Sequence, residues 1–404
     1  MSKYTGNGQF TLNRATLLYK DQGDDQKELD LSYAFVQIDL FESIFEQTMN
    51  GAISILDTYN LPDFLPLYGQ EYIELEFHTQ GNEANPIVYR GVVYKISEKH
   101  RLTEHASGYS IYFISELAIT SQKLHVQKSF NETPSAITKK IFDTTLKEED
   151  KLLELEETKS VESYVFGALK PLEVISILSK HSYSKAGDIG YVFFEDNLQY
   201  NFKPITKLYQ QESVSEYKSR NKGLYDDVDQ RAQEAFSNIQ DLKLLEENSY
   251  LDRLMEGQHG ATFHKFDLFT KTMSSFKYDR SKEYDETKSL GQYPFKKDID
   301  VSLENKTSLA YGQNSKLLHS EISKGLNSKI ELNMIRAELT IFGDSFLRCG
   351  QCVDINLPIW NKDQEETGDR LSGKFLISNI HHQISQQEKY TQTIMIQKEA
   401  YEDL

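Results

Sequence analysis

The chain is poor in cysteine, in proline and in long apolar runs. Two cysteines in 404 residues exclude a disulfide-stapled scaffold. Eight prolines and 21 glycines exclude collagen-like and low-complexity chains. The longest apolar stretches, such as Tyr164–Leu169, fall far short of the roughly 18 residues that a membrane helix needs, so no membrane insertion is expected. Met1–Phe10 is polar and lacks the charged-then-apolar pattern of a secretory signal, which points to a cytoplasm-like compartment of synthesis. Basic residues are the minority, 45 against 62 acidic, for a net charge of −17. No basic cluster interrupts that balance, which argues against sequence-reading contacts to nucleic-acid phosphates.

What is present is an ordinary globular composition: 38% hydrophobic and 26% charged residues, with 24 Tyr and 22 Phe. Aromatics at that density favour strands, and the length suggests about two to four domains. Residues 33–41 alternate, with Val36, Ile38 and Leu40 against Gln37 and Asp39, the two-residue period of a half-buried strand. Asn50-Gly51 is the pair favoured where turn residues need positive φ, so a hairpin is expected there. Residues 72–78, 87–96 and 109–115 read as further strands, with a bulge expected at Gly91. Six or more short strands suggest a barrel or sandwich over residues 1–118.

From residue 119 the period changes. Thr133-Pro134 and Lys170-Pro171 open helices, the second closing at Gly187. Residues 190–203 form a hairpin across Asp196-Asn197, so 119–210 reads as an α+β domain. Residues 211–231 and 281–312 are polar and read as linkers or exposed loops. The span 211–329 holds the start of a second β module near 232–280 together with inserted segments, and 330–404 completes that module. The expected fold class is mainly β with α+β insertions, built on two similar antiparallel β-barrels.

The acid is unevenly placed. Residues 1–120 carry a net −9 and residues 330–404 a net −5, against −3 for everything between. Solubility accounts for such a balance in most proteins; a shared acidic surface made by the two ends of the chain is the sharper reading.

Candidate chemistry is sparse. Cys349-Gly350-Gln351-Cys352 is a C-x-x-C with three readings: buried packing, half of a zinc site, or a redox pair. A structural zinc wants four ligands, and His381 and His382, adjacent on a strand, point to opposite faces. A redox pair wants a helix N-terminus, whereas this pair sits in a turn between strands, so packing is favoured. His259 and His264 read as surface or packing residues. The chain contains no G-x-S-x-G elbow, H-E-x-x-H helix or phosphate loop, so neither enzymatic activity nor a cofactor is expected.

Three stretches of sequence resemble one family, the baseplate hub proteins of contractile-tailed bacteriophages of the T-even type. The first is Phe41-Glu42-Ser43-Ile44, Asn50-Gly51, the strand to Asp57, Asn60-Leu61, Pro66-Leu67 and Gly69-Gln70-Glu71. The second is Tyr191-Val192-Phe193-Phe194-Glu195 with Tyr200-Asn201-Phe202-Lys203. The third runs from Ile341-Phe342-Gly343 through Gly350 and Leu357-Pro358 to Gly373-Lys374-Phe375 and Ile380-His381-His382. The order spans nearly the whole chain, and residues 204–330 match least.

The resemblance implies a homotrimer in which each chain gives two similar barrels to a pseudo-sixfold ring. That ring would join a six-fold tail tube to a trimeric central spike, with baseplate wedge proteins as possible neighbours, in a virion assembled in the host bacterial cytoplasm. Duplex DNA would pass through without specific binding, along an acidic conduit to which Asp39, Glu74 and Glu76 are candidate lumen acids. Readings from another class are a β-rich cell-wall polysaccharide hydrolase or a carbohydrate-binding module. A hub of a contractile injection or secretion particle would share the fold and the symmetry.

Overall fold

The computed structural model describes residues 8–20, 26–58, 61, 68–103, 106–159, 161–218, 237–247, 251, 260–267, 270–279, 290, 306–311, 325, 329, 332–357, 371–386 and 389–400. The strands are β1 (Phe10–Lys20), β2 (Gln26–Asp30), β3 (Phe35–Ser43), β4 (Asn50–Asp57), β5 (Tyr72–Thr79), β6 (Ile87–Arg101) and β7 (Ser107–Ile114). Next come helix α1 (Glu116–Lys123), β8 (Val126–Glu132), α2 (Pro134–Lys140), β9 (Leu152–Leu155), β10 (Glu162–Leu169), α3 (Pro171–Lys180), β11 (Tyr191–Glu195), β12 (Gln199–Pro204) and α4 (Ile205–Tyr209). They are followed by β13 (Ser213–Lys218), β14 (Asp241–Glu247), β15 (Gly260–Asp267), β16 (Thr272–Asp279), β17 (Lys306–Tyr311), β18 (Ile335–Phe342), β19 (Cys352–Asn356), β20 (Gly373–Ser385) and β21 (Lys389–Lys398). No helix among the described residues is long and apolar enough to cross a membrane.

The fold is mainly β, as expected, but the two β regions are parts of one 13-stranded sheet rather than separate bodies. Its order is β14-β18-β21-β20-β3-β4-β7-β6-β5-β1-β2, with β19 on β20 and β13 on β19. The physical reason is β20. Its first residues pair with β19 and its last seven with β3, from Asn379↔Ser43 to Ser385↔Gln37. Ile384 of β20 and Tyr390 of β21 are thereby buried in the core of the amino-terminal half, among Ile38, Leu40, Phe77 and Phe113.

The two halves share a strand order. From one edge, the first runs β3-β4-β7-β6-β5-β1 and the second β14-β18-β21-β20-β19-β13; ranked along the chain, these orders are the same. Register agrees in detail. Val92 on β6 pairs with both Tyr72 and Ile114, and a bulge follows Val93. Leu376 on β20 pairs with both Cys352 and Gln397, and a bulge follows Ile377. The Val93 amide donates to Glu71 O at 2.8 Å and the Ile377 amide to Gln351 O at 2.9 Å. Glu71 then accepts the Tyr68 amide at 2.7 Å and Gln351 the Arg348 amide at 2.9 Å, so each side chain ties down the turn before its strand. One element departs: β1 is antiparallel to β5, whereas β13 is parallel to β19.

Several local expectations shift. Asn50 and Gly51 lie inside β4, not in a turn, and the connection from β3 is Ile44–Met49. Gly51 is needed for close approach rather than for positive φ: a Cβ there would stand 2.4 Å from Asp39 O and 2.5 Å from the Phe113 ring. The bulge in β6 follows Val93, not Gly91. Helix α3 ends at Lys180, and Gly187 serves a later turn at φ +82. The polar stretch 211–231 contains β13, which joins the main sheet through β19. Among the described residues of 232–280, only β14 belongs to that sheet; β15 and β16 form a separate three-stranded sheet with β17.

The α+β block has its own core, with Ile137, Ile141, Val174, Ile175, Leu178 and Phe202 at its centre. Thr133 caps α2 by accepting the Ala136 amide at 3.3 Å, and Glu173 accepts the Lys170 amide at 3.0 Å at the start of α3. The predicted hairpin across Asp196-Asn197 is β11–β12. Gly51→Ala is expected to destabilise the protein by about 3 kcal/mol, because the added methyl meets backbone that the β3–β4 ladder holds in place. Gly167→Ala, where a Cβ meets nothing within 4 Å, should stay within about 0.5 kcal/mol of wild type; urea unfolding of the two variants compares them directly.

Candidate functional site

The resemblance-bearing residues converge on the junctions between the two sheet halves and the α+β block. Glu195, at the end of β11, is buried and reaches into the amino-terminal half. Its Oε2 accepts the Met49 amide at 2.8 Å and the Ser115 hydroxyl. Its Oε1 pairs with Lys151 Nζ at 2.8 Å, and that ammonium also donates to Asp196 O at 2.8 Å. At the hairpin tip, Asn197 accepts the Val88 amide at 3.1 Å and donates to Pro86 O at 3.2 Å. A carboxylate with three donors is a satisfied buried charge; it ties the block to the residues just before β4 and just after β7, and Asn197 ties it to β6.

A second polar cluster sits where the two halves meet. Glu42 on β3 accepts the Cys349 amide at 3.2 Å through Oε2, and its Oε1 lies 3.4 Å from His382 Nε2. Gln392 donates to Tyr390 OH at 2.9 Å, and that hydroxyl lies 2.8 Å from His382 Nδ1. His382 Nε2 faces Glu42 Oε1 without a hydrogen bond between them. Gln392 also exchanges hydrogen bonds with the Asp344 backbone, both at 2.9 Å. Ser345 and Gly343 bind Thr79, whose hydroxyl donates to Gly343 O at 2.8 Å and accepts the Ser345 amide at 2.9 Å. Burial pushes the Asp344 carboxyl up to about 6, even though the Phe346 amide and Asn82 bind it.

The remaining predicted residues fall into place around these clusters. Phe41 stacks on His381 at 4.4 Å across the β3–β20 pairing. Asn50 opens β4 and donates to Glu46 at 3.2 Å. Asp57 is buried and accepts Tyr109 OH at 3.2 Å. Gly69 and Gly350 have φ of +85 and +81 in corresponding turns, and Gly373 has +109 at the start of β20. A Cβ on Gly350 would meet the Phe194 ring at 2.9 Å, and Phe202 is buried in the α+β core. Asn60, Pro66, Leu67, Pro358 and His259 lie outside the described residues.

The three candidate lumen acids are not together. Asp39 lies on the face of β3 away from the core, accepting His381 Nε2 at 2.7 Å and both contacts of the Gln37 amide at 2.8 and 2.9 Å. Glu74 and Glu76 lie on β5, with β4, β7 and β6 between them and β3. They border a cavity of about 380 Å³ facing Asp150, Lys151 and Glu195. Arg14 holds Glu74 at 2.8 Å, and Asn13 donates to Glu76 at 2.9 Å.

Cys349 and Cys352 are free, buried and directed apart: one sulfur is 3.9 Å from Glu195 O, the other 3.3 Å from Leu208 O. Burial raises the Cys349 thiol well above its ordinary value and pushes the Cys352 thiol up to about 12, the reverse of a reactive pair. His381 and His382 point to opposite faces, and His264 accompanies Ser275 at 2.7 Å. Among the described residues no group of three or more His, Cys, Asp and Glu could hold a metal ion. Sequence reasoning missed Lys151, Ser115, Asn197 and Asp344, which lie in no motif; they become polar partners only through contacts between segments far apart in the chain.

Searches against family models and against curated proteins find no match. Solved structures do match. A tail protein from Neisseria meningitidis MC58 aligns at TM-score 0.57 and 10% identity, over 95% of this chain and 97% of that one. The 43 kDa tail protein of prophage MuSo2 from Shewanella oneidensis aligns at 0.57 and 11%, over 95% and 98%. A chain of the Francisella PdpA–VgrG complex aligns at 0.50 and 11%, over 100% of this chain and 61% of that one. At such identities the likeness is one of fold, shared with two tail proteins and with a chain of the PdpA–VgrG complex.

Asp344 generates a pH prediction. Its folded-state value lies above the ordinary 3.8, so the stability it gives is full below about 3.8 and is lost as pH rises through about 6. Asp344→Asn, which keeps an acceptor for Phe346, should exceed wild type by up to about 3 kcal/mol near pH 7.5. That gap should narrow as pH falls from 7 to 5, as read by urea unfolding across the range.

Proposed function

We propose that this chain is a structural baseplate hub of a contractile phage tail, a homotrimer that joins a six-fold tail tube to a trimeric central spike. A three-fold object meets a six-fold one with near-equivalent contacts only if each chain carries the contact surface twice. The two halves of the sheet, alike in strand order and in bulge position, are that repeat, each read as one of two similar β-barrels. The lack of a catalytic constellation in the sequence fits a structural role rather than polysaccharide cleavage.

The observation that carries this reading is a difference between corresponding strands. Ile38 and Leu40 on β3 are 0% exposed, covered in part by β20 and β21 of the other half. Their counterparts on β14, Leu242 and Leu244, are 37% and 42% exposed. Leu242 pairs with Leu339 and Leu244 with Ala337, so both point to the core face of their half. What covers β3 within the chain is a neighbouring half. A second copy would cover β14 in the same way, its β6 taking the part of β20 with Lys95–Arg101 opposite β14. Three such contacts close a ring of six halves, and burying a leucine fully is worth about 2 kcal/mol.

The two ends of the ring would differ. At one end lie Ile44–Met49, the exit from β7 into the α+β block, and the β14–β18 connection of 87 residues against six for its counterpart β3–β4. These parts are not repeated within the chain, so that end has three-fold character and suits the spike. The other end carries the β6–β7 and β20–β21 connections, five and three residues long, which correspond between halves and suit the six-fold tube. The Francisella likeness supports a second reading, the same ring in a contractile injection particle, with a spike and a tube but no genome to pass.

The solution mass should be about three times 46.7 kDa. Leu244→Lys should give a folded monomer whose urea midpoint does not depend on protein concentration, whereas Leu40→Lys should cost several kcal/mol of folding stability, because it buries an unpaired charge. A wild-type monomer, or a Leu244→Lys trimer, would defeat the reading.

A further inference from the structure

Resting on the ring proposed above, we infer that the wall of the bore along the β3–β20 seam is electrically neutral, lined by hydroxyls and amides, so that a passing polyanion meets neither attraction nor repulsion there. The eight strands β14, β18, β21, β20, β3, β4, β7 and β6 run in one continuous order. One face is covered in both halves, by β5 and β1 in the first and by β19 and β13 in the second, with the two cores between. Among the described residues no strand or helix covers the other face. If that order continues from copy to copy, the covering layers need the larger circumference and lie outside, which turns this other face toward the axis.

Register identifies what that face presents. One row reads Thr391–Gln383–Asp39–Ala52–Tyr112–Lys95. The rows on either side add Thr393 with His381, Phe41 and Asn50, and Ser385 with Gln37 and Ser54. Charges in these three rows are two of each sign, Asp39 and Asp241 against Lys95 and Lys389, and one row further Lys243 stands opposite Glu338. Asp39 is moreover held by His381 Nε2 at 2.7 Å and by the Gln37 amide. The chain as a whole carries −17, so its excess acid is placed elsewhere. Each Lys or Arg on a phosphate releases counterions and adds salt-dependent affinity, while an uncompensated acidic wall repels a polyanion over about a Debye length. A balanced wall of Thr, Ser and Gln does neither.

The test places a single thiol on this face of the full chain, Gln383→Cys; the native Cys349 and Cys352 are buried and stay silent. Rates are measured with a cationic and an anionic methanethiosulfonate and divided by the same ratio for a small free thiol. The corrected ratio should lie within about threefold of unity at low salt and change little at high salt. A preference beyond threefold in either direction that collapses with added salt overturns the neutral wall. The ring is tested separately in the same sample. The trimer should resist a polyethylene-glycol maleimide too bulky for the bore, while the monomer made by adding Leu244→Lys should react freely. Equal reaction of trimer and monomer with the bulky reagent places the face outside and overturns the ring reading itself, and a wild-type monomer by mass does the same.

Discussion

The structure depends on one strand serving three partners. β20 pairs with β19 over its first residues, with β21 along most of its length, and with β3 over its last seven. The bulge after Ile377 lets it do so, because one extra residue bends the strand and re-aims the residues beyond it. Before the bend it belongs to the core of Ile355, Phe375 and Ile377; past it, Ile384 belongs to the core of Ile38 and Phe77. A shift of one residue in the β3–β20 register would send Ile380, His382 and Ile384 to the opposite face and put His381 and Gln383 into the cores. The hydrophobic pattern therefore fixes the relative placement of the two halves as firmly as it fixes either half.

Polar groups give that junction its specificity. Glu42, His382, Tyr390 and Gln392 form a buried chain that ends on the Asp344 backbone, and Thr79 with Ser345 continues it on the other side. Apolar contacts alone would tolerate some sliding of one half over the other. A directional network in a low-dielectric interior does not, since any offset leaves unpaired donors and acceptors. The Glu195–Lys151 pair does the same for the α+β block. Both junctions thus combine hydrophobic area, which supplies stability, with a few buried polar contacts, which select one arrangement.

How much of this was legible in the sequence depends on the range of the interactions. Alternation in YIELEFH and YAFVQIDLF is a local consequence of the strand pleat, and it identified β5 and β3. Thr133-Pro134 marked a helix start because capping is local too. Gly51 was misread because its constraint is not local: glycine beside asparagine signals a turn, yet this one is required by Asp39 O and the Phe113 ring, from strands on either side of it. The acids near residues 74–76 were visible as charge, but Arg14, which neutralises Glu74, is 60 positions away and carries no motif. The split of 211–280 between the main sheet and a satellite sheet depends on pairings that no window along the chain contains.

Corresponding positions in the two halves also show how a repeated module takes on unequal tasks. The turn that Glu71 ties down in one half is tied down by Gln351 in the other. Arg90, opposite Glu74, lies over the Tyr72 ring at 4.5 Å and faces the cavity beside the α+β block. Its counterpart Lys374, opposite Asp354, instead donates to Tyr209 O at 2.7 Å, at the point where that block returns to the sheet. The backbone hydrogen bonds that define the module are kept, and the side chains around them diverge. This is the pattern expected when a repeated backbone module keeps its pairing while the segments attached to each copy differ.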